Sequence, residues 1–485
     1  MKRWILGAAI AALACAPAQA MTPPVVTPGW VRDAVFYQIF PERFANGNRK
    51  NDPPNVQPWG SRPAIDNFMG GDLAGVRAHL PYLKSLGVNA IYFNPIFEAT
   101  TNHKYNATDY MKIDPHFGTN AEFKSLLDDA HRLGIKVILD GVFNHTGVQN
   151  PFFQDCVRNG PKSRYWHWYH FDGYPVVTSP KPNYEAWWGI ADLPKLQVAK
   201  NPEVANYIYS VETYWLKQGI DGWRLDVPNE IDSDAFWRGF RARAKAINPN
   251  AYLVGEIWTP ADRWLQGDQF DAVMNYPWRD ALLQFFAQRK IDAGAFDARE
   301  TALREHYAPA ISAVMFNLID SHDTARFLTD CGGEVNRLKL AVAYQMTTPG
   351  APVIYYGDEI GMQGAKDPDC RRCFDWNPAH HNHDLWGYYQ RLIALRHAHP
   401  ALRDGSMRTV AAKGDLLAYA REKGGDRALV VLNNGGGFQE TSLAVPFAEG
   451  TRLHEVLSDA VATVHRGHLG VRLDPMQAQV WLPTK

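Results

Sequence analysis

Three acidic residues, Asp226, Glu256 and Asp323, stand just past short apolar runs that read as buried strands. Asp226 closes Gly222-Trp-Arg-Leu-Asp226, Glu256 closes Tyr252-Leu-Val-Gly-Glu256, and Asp323 ends Asp320-Ser-His-Asp323 after the run 313–319. A single carboxylate at such a place is ordinarily a loop cap. Several gathered at one rim repel each other, so a fold that keeps them there has a use for them. Glycoside hydrolysis uses this set: one carboxylate attacks the anomeric carbon and a second, kept protonated, donates to the leaving oxygen. In retaining enzymes the two lie roughly 5–5.5 Å apart. Asp226 suits the nucleophile, because Arg224 stands two residues earlier on the same strand face and would keep it ionised. Glu256 suits the acid, because Val254, Ile257 and Trp258 offer apolar walls, which raise a carboxyl pKa.

The elements that must position these acids alternate along the chain. Strand-like runs at 34–40, 88–93, 135–140, 219–226, 252–256, 270–275, 313–319 and 352–356 are separated by amphipathic stretches at 72–86, 121–133, 202–218, 233–247, 278–289, 336–347 and 385–398. Eight such alternations imply a (β/α)8 TIM barrel, an α/β fold whose chemistry sits at the C-terminal ends of its strands. An open doubly wound sheet would want a Gly-rich phosphate turn after the first strand, and Phe40-Pro41-Glu42-Arg43 is not one. After the third strand, residues 142–201 lose periodicity and gain aromatics, Pro and Gly, the texture of an inserted subdomain over the barrel mouth. From 403 to 485 short alternating strands with Gly turns, at 416–421, 428–433 and 477–482, imply a C-terminal all-β sandwich domain, with the barrel over 21–402.

Read together, Asp140-Gly-Val-Phe-Asn-His145, Gly222-Trp-Arg-Leu-Asp226, Gly255-Glu-Ile-Trp258 and Ser321-His-Asp323 resemble the four motif regions of the α-amylase family, glycoside hydrolase family 13. Leu193-Pro-Lys-Leu196 and Val227-Pro-Asn-Glu230 are similar to the neopullulanase, cyclomaltodextrinase and maltogenic amylase branch. The resemblance implies a retaining hydrolase of α-1,4 bonds in maltodextrins, cyclodextrins, starch or pullulan. The alternatives are a glucanotransferase of the same family and a non-catalytic sugar-binding relative. It implies that Asp226 is the nucleophile, Glu256 the acid/base and Asp323 the third acid. It also implies that Arg224 holds the nucleophile, that His145, His322 and Asp140 surround the sugar at the cleavage point, and that Tyr105 stacks beneath it. Asp367 and Arg371 would contact the next sugar on the non-reducing side, with Trp258 and Glu230 on the acceptor side.

A second constellation suits a hard cation. Asn46, Asn48, Asn51 and Asp52 share one loop, with Gly70 and Asp72 shortly after, and oxygen ligands at close, irregular spacing suit Ca²⁺. The plainer reading is an Asn/Gly-rich turn. The spacing is similar to the first-loop calcium site of cyclodextrin-acting members of the family. A further family calcium site would draw on Asn144 and Asp192. Two departures from the branch stand out. The barrel begins near residue 30, without the N-terminal β-domain that many members carry, which implies a monomer with a more open cleft. Asn106 stands where the branch often has Asp.

The remaining features set the context. The chain has 485 residues, 46% hydrophobic and 21% charged, with 50 Lys+Arg against 51 Asp+Glu, a balance that argues against a nucleic-acid partner. Lys2 and Arg3, an apolar run over 4–14 and Ala18-Gln19-Ala20 form the pattern of a secretory signal peptide over 1–20, so the protein is expected to be exported, periplasmic or secreted. Cys15 offers a weaker lipoprotein alternative. The apolar run is too short to span a bilayer and no later segment replaces it. Cys370 and Cys373 are either a local disulfide or two free thiols. Of the 16 tryptophans, Trp187, Trp188 and Trp258 fall in segments expected around the cleft, whereas Trp215 and Trp237 sit in helices and read as packing.

Overall fold

The computed structural model describes residues 25–484. The signal segment expected over 1–20 lies outside the described residues. Eight short parallel strands form the barrel: β1 (Phe36–Ile39), β2 (Ala90–Phe93), β3 (Lys136–Gly141), β4 (Gly222–Leu225), β5 (Tyr252–Gly255), β6 (Ala272–Val273), β7 (Phe316–Leu318) and β8 (Ala351–Tyr355). They pair in sequence order, β8 returns to pair with β1, and a bridge from Met274 to Phe316 closes the ring between β6 and β7. Every residue of β1, β2, β4 and β5 is buried, as strands covered on both faces require. Gly222 has to be glycine, because a Cβ there would run into the backbone of Tyr252 on the neighbouring strand.

All eight expected strands are present, shortened at their ends. The helices depart from expectation in three places. The stretch 72–86 is two helices, Leu73–Ala78 and Leu80–Leu86, because Pro81 lacks the N–H that would continue the first into the second. The stretch 278–289 is a helix over Tyr276–Leu282 that widens into a π-turn over Leu283–Ala287. A helix over Ala293–His306 has no counterpart in the sequence reading; it buries only Ala293, Phe296 and Glu300, too sparse a stripe to show as periodicity.

The inserted segment is held by aromatics rather than by long elements. Phe153, on the helix Pro151–Asn159, packs against Tyr169, Phe171 and Tyr184; a bridge from His145, just past β3, to Lys195 fastens the segment to the barrel mouth, and one from Ala186 to Pro194 ties the segment to itself. The C-terminal domain is antiparallel throughout. Its larger sheet has strands in the order 406–413, 416–423, 426–433, 477–483, 452–455 and 461–463, and strands 439–444 and 468–473 form a smaller second sheet. Leu429, Val431, Leu443, Leu453, Leu469, Val471 and Trp481 make its own core, so the expected sandwich is present in unequal halves.

Buried Arg421 locks this domain to the barrel, and buried Arg396 gathers the barrel carbonyls beside it. Arg396 donates to the carbonyls of Met346, Thr348 and Leu402, and Arg421 donates to those of Thr347, Leu402 and Gly405. The carbonyls at the end of the helix Val335–Thr347 would otherwise be buried without donors.

One buried acid weakens the scaffold. Glu212, on the helix Pro202–Gln218, is buried with neither carboxyl oxygen hydrogen-bonded to the protein, and burial pushes it up to about 9. The native state therefore keeps a proton that the unfolded chain releases near its ordinary value of 4.5, and stability contributed below that value is lost as pH rises toward 9. Glu212→Gln should melt higher than the parent at pH 8 by at least about 1 kcal/mol, with the difference shrinking toward pH 5. Thermal melts across that range check it, and a pH-independent difference contradicts it.

Candidate active site

The site grows from the C-terminal ends of β3, β4, β5 and β7. Arg224, on β4, is wholly buried and sits between the carboxylates. Its Nη1 donates to Asp140 Oδ1 and to Asp226 Oδ1, both at 2.9 Å, and its Nε points at the Met274 sulfur at 3.4 Å. Nη2 lies 3.0 Å from Glu256 Oε1 but off the donor direction, so that contact is an ion pair without a hydrogen bond. Glu256 is held by two other donors: the Trp258 indole N–H at 3.2 Å and the Val227 amide at 3.1 Å. Val227 has φ +33°, a strained conformation for a β-branched residue, in the loop that aims this amide at Glu256.

Asp140 is the floor of the network. It accepts from the hydroxyls of Tyr92 at 2.7 Å and Tyr105 at 3.0 Å as well as from Arg224. The Tyr105 ring lies parallel to His322, centroids 5.6 Å apart, and its oxygen is 2.6 Å from His322 Nε2. Gln38 donates to His322 Nδ1 at 2.9 Å, which places the imidazole proton on Nε2, facing Tyr105 and Asp323. Burial, with the cations of Arg371 and Arg224 beside it, holds His322 well below the usual histidine range, so it stays neutral. Burial likewise lowers His145 to about 4, and its Nε2 is buried without a protein partner, a free site for a ligand hydroxyl. Trp187 lies over the His145 ring at 5.5 Å and Trp188 over Trp187 at 4.7 Å, with Trp188 largely exposed.

The acids hold a proton between them. Burial raises Asp226 well above the usual carboxylate range; Arg224 opposes this, while Glu256 and Asp140 add to it. Arg224 is the partner that favours the ionised form of Asp226, and it does so against burial and the neighbouring acids. Burial and Glu256 push Asp323 up to about 7, against the pull of Arg371 at 3.4 Å. Carboxyls this close titrate as a group, and a group that keeps a proton near neutrality can supply a general acid.

Every expected residue of the cleft is brought to this mouth. Arg371 bridges Asp323 and Asp367, the latter at 3.1 Å. Trp258 is half exposed and stacks on Tyr276 at 3.5 Å, and Glu230 pairs with Lys195 of the inserted segment at 3.4 Å. Trp215 and Trp237 are core. Cys370 and Cys373 are free thiols, and Cys370 donates to the His322 carbonyl at 3.2 Å. The sequence reading missed Gln38, Tyr92 and Tyr276, and with them Asn94, which accepts from Gln38 at 2.9 Å and donates to the Tyr105 hydroxyl at 3.2 Å. Gln38 alone carried a signal, as an amide in an otherwise apolar strand.

The cation loop is also assembled. Asn46 and Asn51 each have a buried carbonyl oxygen with no hydrogen-bond partner, and a Cβ on Gly70 would lie 2.5 Å from Asn46 Nδ2 and from Asp52 Oδ1. Asp72 is already committed: its oxygens accept from the amides of Gly47, Asn48 and Gly75, and it caps the helix Leu73–Ala78. Asn48 accepts from the Lys50 amide at 3.2 Å. At the further site, Asn144 also has a buried amide oxygen with no hydrogen-bond partner, while Asp192 accepts from the Asn106 side chain at 2.9 Å.

Residues 38–405 match the family described as alpha amylase, catalytic domain, and residues 407–482 match the neopullulanase-like C-terminal domain. The chain belongs to the α-amylase family of glycoside hydrolases. A cyclomaltodextrinase of Thermoanaerobacter pseudethanolicus is 51% identical over 409 residues, 84% of this chain and 71% of that one. Neopullulanase 2 of Thermoactinomyces vulgaris is 48% identical over 459 residues, 94% of this chain and 78% of that one. The ligand-free cyclic α-maltosyl-(1→6)-maltose hydrolase of Arthrobacter globiformis is similar in structure, with a TM-score of 0.87 at 41% identity over 95% of this chain and 100% of that one. Among the described residues no helix is long and apolar enough to cross a membrane.

In this α-amylase family member Arg224 is the group the acids depend on. Arg224→Met, similar in length and uncharged, leaves buried carboxylates unpaired; it should cost about 3–5 kcal/mol of stability and lower α-glucan hydrolysis by about 10²–10³. Denaturant melts and kcat measure both, and a variant with parental values for either contradicts the role.

Proposed function

We propose that the protein is a retaining hydrolase of α-1,4-glucosidic bonds in maltodextrins, cyclodextrins, starch or pullulan, acting by double displacement through a glycosyl ester on Asp226. The observation that carries the reading is the single guanidinium of Arg224, in contact with Asp226 at 2.9 Å and with Glu256 at 3.0 Å. A nucleophile and an acid gathered on one guanidinium is the arrangement that a mechanism working through a pair of carboxylates needs.

In the first step Glu256 gives its proton to the glycosidic oxygen while an Asp226 oxygen bonds to the anomeric carbon; the C1–O bond breaks and the leaving chain departs with a new hydroxyl. In the second, Glu256 takes a proton from water, the water oxygen bonds to C1, and the ester to Asp226 breaks. Asp323, with His145 and His322, binds the hydroxyls of the sugar being cut, and Tyr105 lies beneath its ring. Asp367 and Arg371 take the next sugar on the non-reducing side. Trp258 on Tyr276, with Glu230 beside Lys195, forms the acceptor side. The exposed Trp258 face favours one second reading, transfer to a sugar acceptor, since a stacked acceptor competes with water for the ester.

Calcium is proposed for the loop of Asn46, Asn48, Asn51 and Asp52 with Gly70 and Asp72. The unpartnered amide oxygens of Asn46 and Asn51 beside Asp52 support it, because hard oxygens left buried without donors suit a hard cation. The ion would fix that loop to the turn at Gly70, a structural service. Export to the periplasm or medium and a monomeric state complete the proposal. Export is supported by the charged, apolar and A-x-A pattern over 1–20.

Two outcomes are expected. Proton NMR during γ-cyclodextrin cleavage should show the α-anomer first, whereas a first-formed β-anomer overturns double displacement. Chelation should lower the melting temperature and added calcium, not magnesium, should restore it, whereas an unchanged melt overturns the cation proposal.

A further inference from the structure

Behind the acceptor side, between the helix Ala293–His306, the barrel wall and the first strand of the C-terminal domain, lies a cavity of about 260 Å³. That is far more than one water needs and just under the range of drug-sized sites, roughly 300–1,000 Å³. Its mouth is formed by exposed Thr259, Pro260 and Ala302, and its floor is buried. One wall is apolar: Trp278, Leu303, Met315 and Met407.

The lining also holds polar groups with few partners in the protein. Glu300 is 3% exposed, its Oε1 has no hydrogen-bond partner, and its Oε2 receives only a 3.3 Å bond from the Tyr344 hydroxyl. Arg304 spends one guanidinium nitrogen on the Met407 sulfur at 3.5 Å, a weak acceptor, and the other on the Thr301 hydroxyl at 3.1 Å. Burial pushes Glu300 up to about 8, so at neutral pH it is a neutral carboxylic acid that both donates and accepts. An apolar lining that includes an indole, with a donor–acceptor carboxyl and a guanidinium whose only acceptors are a thioether and a hydroxyl, matches a pyranose: one C–H face and a rim of hydroxyls.

We propose that this cavity binds a single pyranose, glucose being the probe of that class, at a site separate from the catalytic cleft. The glucose would lie along Trp278 with its hydroxyls on Glu300 and Arg304. Its supply as a product of the enzyme rests on the hydrolytic reading above; the binding itself does not. Thr259 and Pro260 belong to the loop that begins at Glu256, and the Tyr307 hydroxyl accepts from the Ala261 amide at 2.9 Å, so an occupant would press on the backbone that carries Trp258.

The test is ligand-observed NMR of glucose with the Asp226→Asn protein, its cleft saturated with maltoheptaose that it does not turn over. Glucose signal transfer should persist there. It should be lost in Asp226→Asn combined with Glu300→Leu, which removes both donor and acceptor, and in Asp226→Asn combined with Ala302→Trp, which plugs the mouth from an exposed helix position. Glycerol in place of glucose should give no signal. Loss of glucose binding when maltoheptaose is added, or equal binding in the plugged protein, overturns the site. Ala302→Trp on the otherwise intact enzyme should cleave γ-cyclodextrin at the parental rate without product. Failure of the parent to cleave it at all would fault the hydrolytic reading and leave the glucose result standing or falling by itself.

Discussion

A single buried cation organises the mouth of this barrel. Arg224 has no exposed surface, and three carboxylates, Asp140, Asp226 and Glu256, lie within 3.0 Å of its guanidinium. Three acids brought that close in a dry site would take up protons and drift apart without it. A lysine could not replace it, since one point charge cannot face three acceptors in a plane, whereas the fork can. The rest of the fold serves this placement. Gly222 lets β4 lie against β5, Met274 takes the remaining Nε, and Tyr92, Tyr105, Gln38 and His322 fix Asp140 and the third acid around it.

That constraint separates the roles of otherwise similar groups. Asp226 and Asp140 receive true hydrogen bonds from Arg224, while Glu256 is oriented by an indole and by the amide of the strained Val227. Groups held by different donors can exchange a proton without the scaffold moving. The neutral histidines, lowered by burial, present hydroxyl partners rather than charge, which suits an uncharged substrate.

Much of this was legible in the chain. Buried parallel strands must be apolar throughout, so the polar residue that ends each one is conspicuous, and Asp140, Arg224, Asp226, Glu256 and Asp323 were found in that way. What escaped lies where sequence spacing carries no information. Tyr92 reads as an ordinary strand aromatic, and only the closed ring shows its hydroxyl reaching Asp140 from the adjacent strand. Tyr276 becomes part of the cleft because it lies under Trp258. Pro81 was visible, yet the apolar stripe ran across it and hid the break between two helices. In the same way the sequence shows the arginine two residues from Asp226 but not the burial and the neighbouring acids that oppose it.

The central claim is that Asp226 carries the sugar between the two steps. It is tested most directly by quenching the enzyme during reaction with a 5-fluoro-α-glucosyl fluoride and mapping the adduct by peptide mass spectrometry. The account predicts one added fluoroglucosyl group on the peptide that contains Asp226, lost on standing with maltose. An adduct on another residue, or turnover that never leaves one, would contradict it.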